Sequence, residues 1–115
     1  MQTIIYKIES AATWAAAREL GTYRGSADDR RDGFVHLSAA GQVRATADRH
    51  FAGRAGLIIA AIDAGRLDDK LAWEASRGGA LFPHLYGPLP MAAVVWTRDL
   101  PLGPDGRHVL PEEVT

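Results

Sequence analysis

Four histidines, a mid-chain glutamate and a scatter of arginines are the residues of this chain best suited to chemistry. His36 and Ser38 stand two apart in "GFVHLS". If that segment is a strand, residues i and i+2 share a face, so an imidazole and a hydroxyl point the same way. Such a pair suits a ribose or an amide; a core histidine tied to a backbone carbonyl fits the sequence equally. Glu74, on the polar face of "LAWEAS", is placed to act as a general base or to anchor a hydroxyl. It is also an ordinary partner for a surface arginine or lysine. Arg77 precedes Gly78 and Gly79. Glycines let a backbone approach a ligand closely, and a neighbouring guanidinium supplies charge-assisted bonds to phosphate or carboxylate. A Gly-Gly hairpin is the structural alternative. His84 follows Pro83, whose fixed φ helps orient it, and shares a face with Tyr86 if the segment is extended. Arg44 and Arg49, with His50, can form a basic rim on one helix or can simply be solvated.

Several chemistries lack their residues. There are no cysteines, which removes disulfides, thiolate nucleophiles and Cys-based zinc sites. No HExxH, no dinucleotide-binding G-x-G-x-x-G and no phosphate-cradling G-x-x-x-x-G-K-[ST] occurs. No serine has a nucleophile-elbow setting, and the histidine and aspartate spacing gives no support for a metal, so none is expected.

The elements that must position these residues follow from pattern. "TIIYKI" is β-branched and aromatic and predicts a strand. Ser10 is placed to cap the helix "AATWAAAREL", with Trp14 and Ala17 facing inward and Gly21 as its stop. "TYRGSADDRRDG" predicts a loop with its Asp28–Asp32 run solvated. "GFVHLS" predicts a short strand. A helix then starts at or near Ser38 and runs to Gly53, with Val43, Ala47 and Phe51 on its apolar face. "GLIIAAID" reads as a strand buried on both faces. "LAWEAS" alternates Leu71, Trp73 and Ala75 against Ala72, Glu74 and Ser76, as a half-exposed strand does. "SRGGALFPHLYGPL" has no clear period yet carries large apolar residues, which predicts the wall of a pocket. "MAAVVWTRDL" holds a last strand centred on Val94 to Thr97, and the Pro- and Gly-rich tail is irregular. The order β-α-β-α-β-β-loop-β lacks the alternation of a doubly wound sheet. It predicts an α+β fold: a mixed, mostly antiparallel sheet with two main helices.

At 115 residues the chain predicts a single domain, 1–115, large enough for a core without staples. A net charge of -1 gives no global field for nucleic acid, so general nucleic-acid binding is not expected. Arginines greatly outnumber lysines, which suits phosphate or carboxylate and also follows from GC-rich coding. No stretch approaches the ~20 apolar residues of a membrane helix, and the start has no secretory pattern. A cytoplasmic protein without membrane association is the expectation.

The segments "IYKI", "W..A...G.Y.GS..D..DGFVHLS", "QV..TA.R.F.G", "L....ID" and "L.WE.SRGG.LFPHLYGPL" together resemble domain-of-unknown-function family 952, from Ile4 to about Pro111. That resemblance implies an ADP-ribosylation-like fold. A weaker similarity links the chain to RNA 2′-phosphotransferases, which share that fold and use NAD. In both, a histidine-bearing strand, a basic helix, an apolar strand ending near Asp and an aromatic-bearing strand follow in order. The similarity implies that His36 falls at the NAD-binding histidine and Arg49 near the arginine of the following helix. One departure stands out: those enzymes carry an arginine-serine pair where this chain has Glu74 and Ala75. The implied ligand is NAD or an ADP-ribose-like nucleotide. His36 and Ser38 would hold the ribose or amide, and Arg49 and Arg77 would meet phosphates. Tyr86 or Tyr23 would pack on a ring, with His84 beside them, and Glu74 and His36 would be the catalytic pair. A non-catalytic binding domain on the same fold is the alternative.

Overall fold

The computed structural model describes residues 3–114, except the side chain of Arg77. The elements in chain order are β1 (Ile4–Ser10), α1 (Ala11–Leu20), β2 (Thr22–Tyr23), α2 (Ala27–Asp32), β3 (Val35–His36) and β4 (Ser38–Ala39). They continue with α3 (Val43–His50), β5 (Leu57–Asp63), β6 (Leu71–Ala75), β7 (Leu81–Leu85), β8 (Leu89–Pro90) and β9 (Val94–Leu100). The strands form three sheets with orders β4-β1-β5-β9, β3-β7-β6 and β2-β8. All their pairings are antiparallel. The fold is α+β.

β1 and β5 carry the architecture. Every residue of β5 is buried, as its unbroken apolar run requires of a strand covered on both faces. Successive side chains alternate between two cores. Ile5, Ile58, Ala60 and Ile62 face a cluster that includes Trp14 and Ala17 of α1, together with Tyr23 and Leu85. Tyr6, Ile8, Ile59 and Ala61 face Val43 and Ala47 of α3 and Leu100. Ile5, Ile59 and Ile62 are each 0 % exposed, and burial of one such side chain stabilises the fold by roughly 1.5–3 kcal/mol.

The helix ends form as local chemistry dictates. The Ser10 side chain accepts from the Thr13 N–H, and Gly21 closes α1 in the left-handed region at φ 86°. In the loop expected over 22–33 the chain instead forms α2. Ser26 accepts from the Asp29 N–H while the Asp29 carboxylate accepts from the Ser26 N–H. This reciprocal bonding satisfies two otherwise unpaired helix donors. The Asp28–Asp32 run is therefore not uniformly solvated: Asp29 is buried.

Three further expectations change. "GFVHLS" is not one strand. Its first half pairs with β7 and its second half with β1, so the chain changes sheets at Leu37, whose N–H donates to the Pro83 carbonyl. The helix expected near Ser38 begins at Val43, after β4 and a 3₁₀ turn over Ala40–Gln42, and ends at His50. The Gln42 side chain holds that turn by accepting from the Ala39 N–H and donating to the Leu81 carbonyl. Trp73, expected opposite the polar face of β6, is exposed. No described helix is long and apolar enough to cross a membrane.

Candidate functional site

The site grows from a charged residue inside an apolar strand. Lys7 sits in the middle of β1 with its side chain 7 % exposed. A buried ammonium requires a counter-charge and hydrogen-bond acceptors. Its Nζ donates to Asp29 Oδ2 at 2.9 Å and to the His36 carbonyl at 3.0 Å. Asp29, fixed by the capping box of α2, is the hub. Its Oδ1 accepts from the His36 N–H at 3.1 Å and lies 2.6 Å from His36 Nδ1. Tyr23 donates its hydroxyl to Glu9 and lies 3.4 Å from Asp29 Oδ2. Burial alone would raise the Asp29 carboxyl. The hydrogen bond from His36 and the charge and hydrogen bond of Lys7 outweigh it and hold Asp29 well below the usual carboxylate range. Burial, the bond to Glu9 and two nearby negative charges push the Tyr23 phenol far above its ordinary value, so it stays a donor.

Register delivers the second histidine. His36 of β3 pairs directly with His84 of β7, and directly paired residues project from the same face. Their ring centroids lie 5.8 Å apart, edge to face. Phe34 binds the group: its ring stacks on His84 at 4.0 Å and lies 4.6 Å from His36 and 5.3 Å from Tyr86. Glu74 Oε1 lies 2.8 Å from His84 Nδ1 and accepts from the Tyr86 hydroxyl at 2.7 Å. These two bonds, from Tyr86 first and His84 second, hold the Glu74 carboxyl below its usual range, and the same bond raises the Tyr86 phenol. A carboxylate only accepts, so His84 Nδ1 carries a proton and in the neutral ring Nε2 is the acceptor. Each imidazole is thus steered through Nδ1 by a carboxylate from another element.

Both histidines border a cavity of about 480 Å³, within the ~300–1,000 Å³ typical of small-molecule sites. Lys7, Ser38, Thr46 and Arg49 also border it. Ser38 and Thr46 share a hydroxyl–hydroxyl bond of 3.0 Å. The cavity wall is apolar at Tyr6, Ile8, Phe51 and Phe82. This arrangement can accept hydrogen bonds at imidazole, donate them from hydroxyl and guanidinium, and bury a ring against aromatics. No group of three potential metal ligands gathers among the described residues.

Of the residues singled out in sequence, His36, Ser38, Arg49, His50 and His84 meet at this cavity. His36 and Ser38 do so from different sheets rather than from one strand face. Glu74 lies one hydrogen bond behind His84 and Tyr86 one further, bonded to Glu74, and neither is among the cavity-lining side chains. The Arg77 side chain lies outside the described part of the chain. Its backbone belongs to the Arg77–Gly79 turn that closes the β6–β7 hairpin, with Gly78 and Gly79 at φ 74° and 81°. Gly78 and the preceding Ser76 border the cavity. Tyr23 is buried in the core against Trp14 at 5.2 Å, so it does not pack on a ligand ring. Of the basic rim, Arg49 and His50 border the cavity, whereas Arg44 lies 3.5 Å from Asp48. His108 is structural, bonded at 2.8 Å to the Arg54 carbonyl.

Lys7, Asp29, Asp32 and Phe34 complete the site and were not singled out beforehand. Two signals were present in the sequence: a lysine interrupting "TIIYKI", and Ser26-x-x-Asp29, a capping-box spacing.

Protein CC0527 from Caulobacter crescentus has this fold. Its X-ray crystal structure is 49 % identical in sequence, with a TM-score of 0.93 over 97 % of this chain and 98 % of that one. Its solution NMR structure is 51 % identical, with a TM-score of 0.81 over 90 % of each. Curated proteins give no match. The family described as a protein of unknown function, DUF952, matches residues 8–97, and the chain belongs to that family.

Proposed function

We propose that the chain binds NAD or an ADP-ribose-like nucleotide in the cavity beside His36 and His84, on an ADP-ribosylation-like fold. The observation that carries this reading is the convergence of His36, Ser38, His84 and Arg49 on one solvent-reachable cavity of about 480 Å³. An imidazole and a hydroxyl suit a ribose or carboxamide. The guanidinium of Arg49 suits a phosphate, and the Phe51 and Phe82 walls suit a base or pyridine ring. ADP-ribosyl or 2′-phosphate transfer is the chemistry that goes with such a ligand. His36 would touch the ribose, and Glu74 would act through His84 rather than on the ligand itself.

One observation favours a second reading, a non-catalytic small-ligand or protein-interaction domain. A glycosyl transfer passes through a cationic state that a carboxylate at the reacting carbon stabilises. Here Asp29 is committed to Lys7 and His36, and Glu74 stands behind His84.

Thermal unfolding with NAD, ADP-ribose, nicotinamide and a 2′-phosphorylated nucleotide tests the proposal. A ligand at about 100 times its Kd adds ~2.7 kcal/mol, a midpoint rise on the order of 10 °C for a domain of this size. Such a rise with NAD or ADP-ribose, abolished in His36→Ala, is expected. No shift with any of the four at millimolar concentration would refute it.

A further inference from the structure

Asp32 ends α2 and has no part in the nucleotide reading. Its Oδ2 lies 3.0 Å from His36 Nε2, and its Oδ1 lies 3.0 Å from Arg31 Nε. The other nitrogen of the same ring, Nδ1, is 2.6 Å from Asp29 Oδ1. Carboxylates accept and do not donate, so the ring must donate from both nitrogens while both contacts stand. A neutral imidazole has one N–H and keeps only one contact. The two are unequal. Asp29 is 2 % exposed and also holds Lys7, whereas the Asp32 side chain is 35 % exposed. Asp32 is therefore the contact that yields.

Within α2 the partner of this carboxylate is the neighbouring Arg31. The last turn of a helix carries partial negative charge, which disfavours an acidic side chain there. What offsets the cost is the pair of donors, His36 Nε2 and Arg31, and both border the same cavity. These are donors that a phosphate oxygen would seek.

We infer that the Asp32 carboxylate occupies the subsite of an anionic ligand oxygen, a phosphate or diphosphate, and that ligand and Asp32 compete for the His36 Nε2–H. The inference rests on the nucleotide reading but reassigns the His36 Nε2–H from the ribose to a phosphate oxygen. The groups facing His36 are Asp29 and Asp32 from α2, Lys7 from β1 and His84 from β7, with Phe34 against the ring. Arg31 faces Asp32 and keeps its contact to Asp28 when Asp32 is displaced. Displacement exchanges one anion for another on the same donors, so the protein keeps the imidazole oriented with and without ligand.

The test is titration calorimetry with ADP-ribose and with inorganic pyrophosphate, at one fixed pH and ionic strength. The proteins are wild type, Asp32→Ala, Asp32→Asn and Asp28→Ala. Asp28→Ala removes the same charge from the same helix, where Asp28 meets Arg31 at 3.2 Å but not His36. Asp32→Ala is expected to bind both probes about tenfold more tightly, ~1.4 kcal/mol. Asp32→Asn should move the same way, and Asp28→Ala by clearly less. Equal gains in Asp28→Ala and Asp32→Ala, or no gain in Asp32→Ala, would overturn the inference and leave the nucleotide reading intact. Pyrophosphate binding that tightens in Asp32→Ala without any ADP-ribose binding would support the anion subsite and refute the nucleotide. Binding of neither probe by any of the four proteins would overturn both.

Discussion

Asp29→Ala is the perturbation whose cost follows most directly from the structure. The Asp29 side chain is 2 % exposed. It accepts from Lys7 at 2.9 Å, from the His36 N–H at 3.1 Å and from the Ser26 N–H at 2.9 Å, and it lies 2.6 Å from His36 Nδ1. Its removal leaves the buried Lys7 ammonium with the His36 carbonyl as its remaining acceptor of those described. Taking one partner from a buried ion pair costs about 3–5 kcal/mol, because the other charge is stranded. Against a total stability of roughly 5–15 kcal/mol, that is a large fraction. Urea unfolding of wild type, Asp29→Ala, Lys7→Met and the double variant separates the stranded charge from the lost caps. The double variant should be destabilised by clearly less than the sum of the singles, with a coupling of at least about 1 kcal/mol. Additivity within about 0.5 kcal/mol, or a cost below about 1 kcal/mol for Asp29→Ala, would refute the argument. The same pair sets acid sensitivity. Asp29 is more acidic in the folded chain than in the unfolded one. Its contribution is therefore complete above the unfolded carboxyl value and is lost as pH falls below about 4. A wild-type stability profile should fall there, and the fall should be shallower in the Lys7→Met/Asp29→Ala double variant.

Gly25→Ala should destabilise by about 1–3 kcal/mol in urea. Gly25 sits at φ 103°, and an added Cβ would lie 2.7 Å from the Asp29 Cβ, so the hub itself must shift; a cost near zero would contradict the close approach. Glu74→Ala should leave thermal stability nearly unchanged, because Glu74 is half-exposed and such pairs are weak. It should release His84 from its single tautomer, seen as a rise in the Nε2–H form by nitrogen NMR near neutral pH. An unchanged tautomer ratio would show that the 2.8 Å contact to His84 Nδ1 does not orient the ring.

Much of the scaffold was legible because its signals are local. The Ser10 cap, the Gly21 stop and the doubly buried β5 each depend on residues within one or two turns or one strand length. The site was legible in part. His36, Ser38, Arg49 and His84 carry polar groups in otherwise apolar or structured settings, and they do converge. Glu74 was recognised as a group of interest, but its position behind His84 depends on the pairing of β6 with β7.

The sequence by itself determined the α+β class, the apolar centre of the sheet and some of the residues that border the cavity, His36, Ser38, Arg49 and His84 among them. Only the tertiary structure decided the burial of Asp29 in a stretch whose composition is that of solvent-exposed surface. Composition reports the average cost of burying a charge; it cannot report a lysine 22 positions earlier that offsets it. The sheet change at Leu37 and the pairing of His36 with His84 have the same origin. Register between distant strands is set by which faces find cover, and that is a property of the assembled layers rather than of any one segment.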